Sequence, residues 1–212
     1  MSKPETYISL DIETNGPCPG LYSMLSLGAI ALTPGQPEAE VPRWYQTLEP
    51  LHGAELGHPD TMAWWKTQPD AWAEVTTNQQ DPDIAAEDFA NWVEALPGKP
   101  RAVAWPAAFD FAFVNYYLHR FAGRNPLGIA CIDIRSYANG LIGQPGYYNL
   151  PDRDGLLAVT GPIDTSDLRD HVALDDAIGQ GRLFMALLAH AQRYQDACAG
   201  GKRPSLREGA TS

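Results

Sequence analysis

Tyr7-Ile8-Ser9-Leu10-Asp11-Ile12-Glu13-Thr14-Asn15-Gly16 is the stretch on which the reading of this chain turns. β-Branched and aromatic residues lead in, two carboxylates follow, and Asn-Gly closes the run as a turn. In a strand, side chains at i and i+2 point to the same face. Asp11 and Glu13 therefore stand side by side, while Leu10 and Ile12 face the other way, into a core. Two carboxylates so close repel each other unless a proton or a divalent cation lies between them. The apolar flanks predict a buried central strand, where an unpaired charge is expensive. Asp11 and Glu13 are thus read as metal ligands. The bland alternative is an edge strand with a wet acidic face. With 26 acidic residues among 212, an Asp-x-Glu arises about 0.75 times by chance. Further acids must therefore appear in the right places.

The length suits one domain, and the 44% hydrophobic content is enough for a sizeable core. No apolar run approaches the ~18 residues of a membrane span, so no membrane partner is expected. Met1-Ser2-Lys3-Pro4-Glu5 lacks the apolar segment of a signal peptide. Cys18, Cys131 and Cys198 have neither zinc spacing nor a disulfide framework, which predicts a reducing cytoplasm. The formal charge of −11 is awkward for gripping long nucleic acid, since phosphate neutralisation dominates such binding. It does not exclude a phosphodiester enzyme whose metals bring the positive charge. It favours short substrates or single-stranded ends.

Outward from the first stretch, Met24 to Leu32 reads as a second strand. Arg43 to Leu48 reads as a third, antiparallel to it. Asp60 or Thr61 caps a short helix through Met62 to Lys66, and Pro69 starts another. Asp81-Pro82-Asp83 opens a helix with Phe89, Trp92 and Val93 near a 3.6 period. Strands are predicted over Arg101 to Trp105 and Gly128 to Ile132. Helices are predicted over Ala107 to Phe121, Ile134 to Leu141 and Ala173 to Tyr194. Residues 143 to 169 read as a long loop, of the kind that is usually functional. The domain is set at 1–199, with 200–212 as a disordered tail. Three strands, then alternating helices and strands, give an α/β domain with a mixed sheet.

Asp110 opens the long helix straight after a buried strand. It is either a helix-dipole acid or a third metal acid at a strand's C-terminal end. His171 and Asp176 straddle the boundary between the long loop and the last helix. Asp176 would face the sheet and Asp175 the solvent. A plain capping cluster from Asp170 to Asp176 is the alternative.

Asp11-Ile12-Glu13-Thr14, Phe109-Asp110-x-x-Phe113 and His171-x-Ala173-x-x-Asp176-Ala177, in this order, resemble the three motifs of the DEDDh (DnaQ-like) 3′→5′ exonuclease superfamily. Leu25-Ser26-Leu27-Gly28-Ala29 resembles the strand after the first motif. Asp60 to Gln68, with Trp64 and Trp65, is similar to the branch of small bacterial and phage 3′→5′ exoribonucleases and exodeoxyribonucleases. Trp105 to Phe109 departs from relatives, which often carry Asn or His there. The resemblance implies an RNase H-like fold, a mixed five-stranded sheet flanked by helices. It also implies two divalent ions, Mg²⁺ or Mn²⁺. Asp11 would bridge them, Glu13 and Asp176 would complete the site of the attacking water, and Asp110 would support the second ion. His171 would be the general base, a task that histidine's ordinary pKa of about 6.5 suits. The implied product is a nucleoside 5′-monophosphate cut from a single-stranded RNA 3′ end. A DNA proofreading or repair exonuclease is the rival, and a non-catalytic nucleic-acid-binding module is disfavoured because all four acids and the histidine match. Thr14, Asn15 and Gly16 are candidate contacts to the last nucleotide, against a plain turn. Trp65 or Trp64 is a candidate stacking face, against core packing. Lys66, Arg120, Arg124, Arg135, Arg153 and Arg169 are candidate phosphate contacts, with scattered surface charge as the default for all six. Relatives are often homodimers, but no self-complementary surface is legible here.

Overall fold

The computed structural model describes residues 4–144 and 151–200. Five strands form one sheet: β1 (Glu5–Thr14), β2 (Met24–Leu32), β3 (Arg43–Thr47), β4 (Lys99–Ala104) and β5 (Cys131–Asp133), in spatial order β3-β2-β1-β4-β5. β1 is central. It pairs antiparallel with β2 and parallel with β4. Among the described residues, seven α-helices accompany the sheet: α1 (Pro59–Trp65), α2 (Pro69–Val75), α3 (Pro82–Ala95), α4 (Ala107–Phe121), α5 (Ile134–Ile142), α6 (Arg153–Thr160) and α7 (Ala173–Ala199).

The alternation in β1 assigns its two faces. Ile8, Leu10 and Ile12 join one core with Phe89 and Val93 of α3 and Phe113, Val114 and Tyr117 of α4. Each such apolar side chain stabilises the fold by about 1.5–3 kcal/mol on burial. Ser9, Asp11 and Glu13 point to the opposite face, which α7 covers. There Phe184 and Leu187 pack with Val103, Ile134, Ala138 and Val159. α7 lies close to the sheet because glycine stands where it crosses β2. A Cβ on Gly28 would fall 2.2 Å from the Leu174 nitrogen and 2.3 Å from the Ala173 carbonyl carbon. Gly28 is the cross-strand neighbour of Asp11, so this close approach brings the start of α7 to the acids of β1.

Several boundaries differ from the sequence reading. The predicted loop over 143–169 contains α6, whose start is capped by the Asp152 carboxylate accepting from the Gly155 N–H. Gly and Asp density concealed a helix of only two turns. β5 is shorter and later than the run Gly128 to Ile132, because Gly128 at φ 78° still belongs to the turn before it. α1 begins at Pro59, before Asp60 and Thr61, with His58 as N-cap residue. α7 runs five residues past Tyr194. Gly200 follows α7, and residues 201–212 of the expected tail lie outside the described residues.

Candidate active site

Three elements meet at one edge of the sheet. β1 and β4 are parallel, so their C-terminal ends lie together. α4 starts directly after β4 and carries Asp110 in its first turn. The Ala107 N–H at that helix start donates to Asp133 Oδ2 of β5 at 3.0 Å, fixing where α4 begins. α7 contributes Asp176, also in its first turn. The carboxylates of Glu13 and Asp176 and the imidazole of His171 each place one ligand atom within 4.8 Å of the other two.

The electrostatics show that four acids converge. Burial drives the Asp11 carboxyl well above its ordinary range, and the charges of Asp110, Glu13 and Asp176 push it further. Glu13 is pushed up to about 8, by burial first and then by Asp176 and Asp110. Asp110 rises to about 8, mainly by burial, although the Ile12 backbone N–H bonds to it. Asp176 is raised by burial, partly offset by the His171 imidazole and backbone N–H. Four clustered carboxylates with one imidazole do not share out their charge unaided. Asp110 is 3% exposed, and its Oδ2 has no hydrogen-bond partner among the described residues. Such an orphaned buried acceptor calls for a missing partner. A set of hard oxygens is the chemistry that Mg²⁺ or Mn²⁺ prefers, so these residues fit such ions.

One contact was missed in the sequence. Gln180 Nε2 donates to Asp11 Oδ1 at 2.6 Å. Gln180 lies four residues after Asp176, hence on the same face of α7, and that spacing was the available signal.

The expected nucleotide contacts divide. The Asn15 amide donates to the Ala54 carbonyl at 2.6 Å and accepts the Ser23 N–H at 2.6 Å. Thr14 Oγ1 donates to the Gly16 carbonyl at 3.0 Å, and the Tyr22 ring covers Gly16. The side chains of Thr14 and Asn15 are occupied, and so are the carbonyls of this turn: the His58 N–H donates to the Asn15 carbonyl at 2.7 Å. Trp65 is a correction: it is 2% exposed and its indole N–H donates to the Thr14 carbonyl, so it offers no face to a base. Trp64 is 38% exposed and stands edge-on to His171, with ring centroids 4.9 Å apart. Arg124 pairs with Glu87 and Glu94, and Arg169 with Glu74 and Asp175, which occupies both as phosphate contacts. Asp175 is therefore ion-paired rather than simply solvent-facing.

Comparison with known proteins shows the family and the fold. A family model, the 3′-5′ exoribonuclease Rv2179c-like domain, matches residues 6–188. The 3′-5′ DNA exonuclease Cap18 of Escherichia coli is 32% identical over 184 residues, which is 85% of this chain and 90% of that protein. The nuclease domain of 3′hExo, a DEDDh family member solved with rAMP, superposes with TM-score 0.56 at 16% identity, covering 91% of this chain and 93% of that one. S. pombe Pop2p, in a form with Mg²⁺ and Mn²⁺ bound, gives 0.56 at 14% identity over 90% of this chain and 84% of that one. The fold is that of the RNase H-like DEDDh exonucleases. No helix among the described residues is long and apolar enough to cross a membrane.

Proposed function

The chain belongs to the 3′-5′ exoribonuclease Rv2179c-like family of DEDDh exonucleases, and from that premise we propose that it hydrolyses single-stranded RNA from the 3′ end, releasing nucleoside 5′-monophosphates. The observation that carries this reading is the meeting of Glu13, His171 and Asp176 within 4.8 Å, beside Asp11 and Asp110. Asp11, Glu13, Asp110 and Asp176 would hold two divalent ions, Mg²⁺ or Mn²⁺. Those ions, when bound, would offset the negative charge that grows on the phosphate during displacement.

The rest falls to the chain's own groups. His171 takes the proton of the attacking water, and its position beside Glu13 and Asp176 puts it in reach of that proton. Water oxygen bonds to phosphorus as the bond to the 3′ oxygen of the preceding nucleotide breaks. Gln180 holds Asp11 in one orientation. The exposed ring of Trp64, edge-on to His171, would border the place of the terminal nucleotide. The surrounding apolar core keeps water out of the back of the site.

A second reading, single-stranded DNA as substrate, is favoured by the 32% identity to an E. coli DNA exonuclease. Recognition of 2′-hydroxyls separates the two. End-labelled RNA and DNA of matched sequence, digested with Mn²⁺, Mg²⁺ or chelator, report polarity, sugar preference and metal need together. His171→Ala should slow turnover strongly while binding Mn²⁺ nearly as wild type does. Asp11→Ala should lose both. Wild-type Mn²⁺ binding by Asp11→Ala would overturn the ligand assignment.

A further inference from the structure

His171 sits in an uncommon backbone conformation. Its φ is 60°, in the left-handed region, and it is not glycine. Residues so placed persist when the structure around them fixes them. Yet residues 161–172, which carry His171, form no helix or strand. Something else must hold the segment.

Two arginines do so. Arg182, on α7, donates from Nη1 and Nη2 to both carboxylate oxygens of Asp167, at 2.7 and 2.9 Å. Its Nη1 also reaches the Asp164 carbonyl at 2.7 Å. Its remaining edge is bidentate to Glu38, at 2.8 and 3.0 Å. Every guanidinium nitrogen is engaged, so Arg182 has no free nitrogen to meet a phosphate. Nearer the histidine, Arg169 donates from Nε to Asp175 Oδ2 at 2.8 Å, and its backbone N–H reaches the same oxygen at 3.2 Å. Its Nη1 lies 3.5 Å from Glu74 of α2. Between the two, Leu168 lies over Gly179, where an added Cβ would come within 3.3 Å of its Cδ1.

We infer that Arg169 and Arg182 are positioning residues for His171: they pin its segment to α7, to α2 and to the turn at Glu38. The inference rests on the reading of His171 as general base. Bidentate arginine–carboxylate pairs set geometry as well as adding attraction. Displacing a reacting group by about 1 Å can cost on the order of 10²-fold in rate. Removal of a group that acts only in the transition state lowers kcat and leaves KM.

The test is a set of double-mutant cycles on end-labelled single-stranded RNA with Mn²⁺: R169A, R182A and H171A, alone and paired. Each arginine variant should lower kcat by about 10- to 100-fold with KM nearly unchanged. In the H171A background neither should lower kcat further, because the group they place is gone. Arg169→Lys should recover part of the loss and Arg169→Gln none. If R182A fails to fold, R169A decides alone, since the Arg169 side chain is 63% exposed and its truncation leaves no cavity. A raised KM with intact kcat would mean a substrate contact, and a loss additive with H171A would mean action through another group. Either overturns the inference, as does wild-type kcat in R169A. If H171A itself turns over like wild type, the base assignment falls and the inference with it. A slow H171A beside a fast R169A sinks the inference alone.

Discussion

Gly28→Ala is the smallest change that should separate the two halves of the site. Gly28 has no left-handed backbone to protect, so the cost is space alone. The new methyl would lie 2.2 Å from the Leu174 nitrogen, 2.3 Å from the Ala173 carbonyl carbon and 2.4 Å from its oxygen. All three are backbone atoms, and no flexible side chain can give way for them. Ordinary van der Waals contact begins at 3.4 Å, so the first turn of α7 must retreat from β2 by about 1 Å or more. Overpacking of this kind typically costs about 1–3 kcal/mol in stability. The retreat also carries Asp176 away from Asp11 and Glu13, and misplacement by about 1 Å can cost on the order of 10²-fold in rate. Urea unfolding and exonuclease turnover on one preparation read both effects. Gly140→Ala is the control: nothing lies within 4 Å of its Cβ position, and alanine in a helix is neutral to mildly favourable. A Gly28→Ala protein with normal turnover and normal stability would show that α7 does not need this close approach, and the account of how Asp176 reaches the site would fail.

Two further outcomes follow from the same geometry. Asp11, Glu13, Asp110 and Asp176 are all raised above their unfolded values. Between about pH 4 and pH 8 the folded, chelated protein therefore binds more protons than the unfolded chain, and its stability falls as pH rises through that window. A tenfold difference in a carboxyl's proton affinity between folded and unfolded chains amounts to about 1.4 kcal/mol, so melting in chelator should drop by several degrees from about pH 5 to pH 8. Mn²⁺ should restore more at the upper end, where its ligands give up their protons more readily; melting that rises with pH in chelator would contradict the clustering. Trp65→Ala should cost about 3–5 kcal/mol, as truncation of a buried aromatic does, whereas Trp64→Ala should leave unfolding near wild type and raise KM. Equal stability losses from the two would contradict their different burial.

How legible the molecule was in its sequence depended on how local the signal was. The period of two in Tyr7 to Thr14 placed Asp11 and Glu13 on one face, and Leu10 and Ile12 did fall into the opposite core. Tryptophans 64 and 65 defeated the same logic. Adjacent residues on a helix point about 100° apart, and only tertiary packing decides which one is buried. α6 was hidden because its eight residues lie between Gly- and Pro-containing segments. Of the six candidate cations, Arg124 and Arg169 are engaged by acids of this chain. A surplus of acids makes ion pairs common, and composition could not say which arginines would form them.

That surplus shapes the chemistry itself. The net charge of −11 repels a polyanion at long range, and Arg124, Arg169 and Arg182 are already committed to acids of this chain. Attraction for the substrate would then be strongest where divalent ions would sit, at the end of the sheet. Affinity gained at one point favours a terminus over an interior, because contacts to successive phosphates add little. A chain built this way should release and rebind between cuts instead of tracking a long strand. The same four carboxylates that would make the metal-free fold less stable toward neutral pH would also give the site its hold on cations. Stability surrendered by the metal-free protein and cation affinity are therefore two consequences of one crowding of charge.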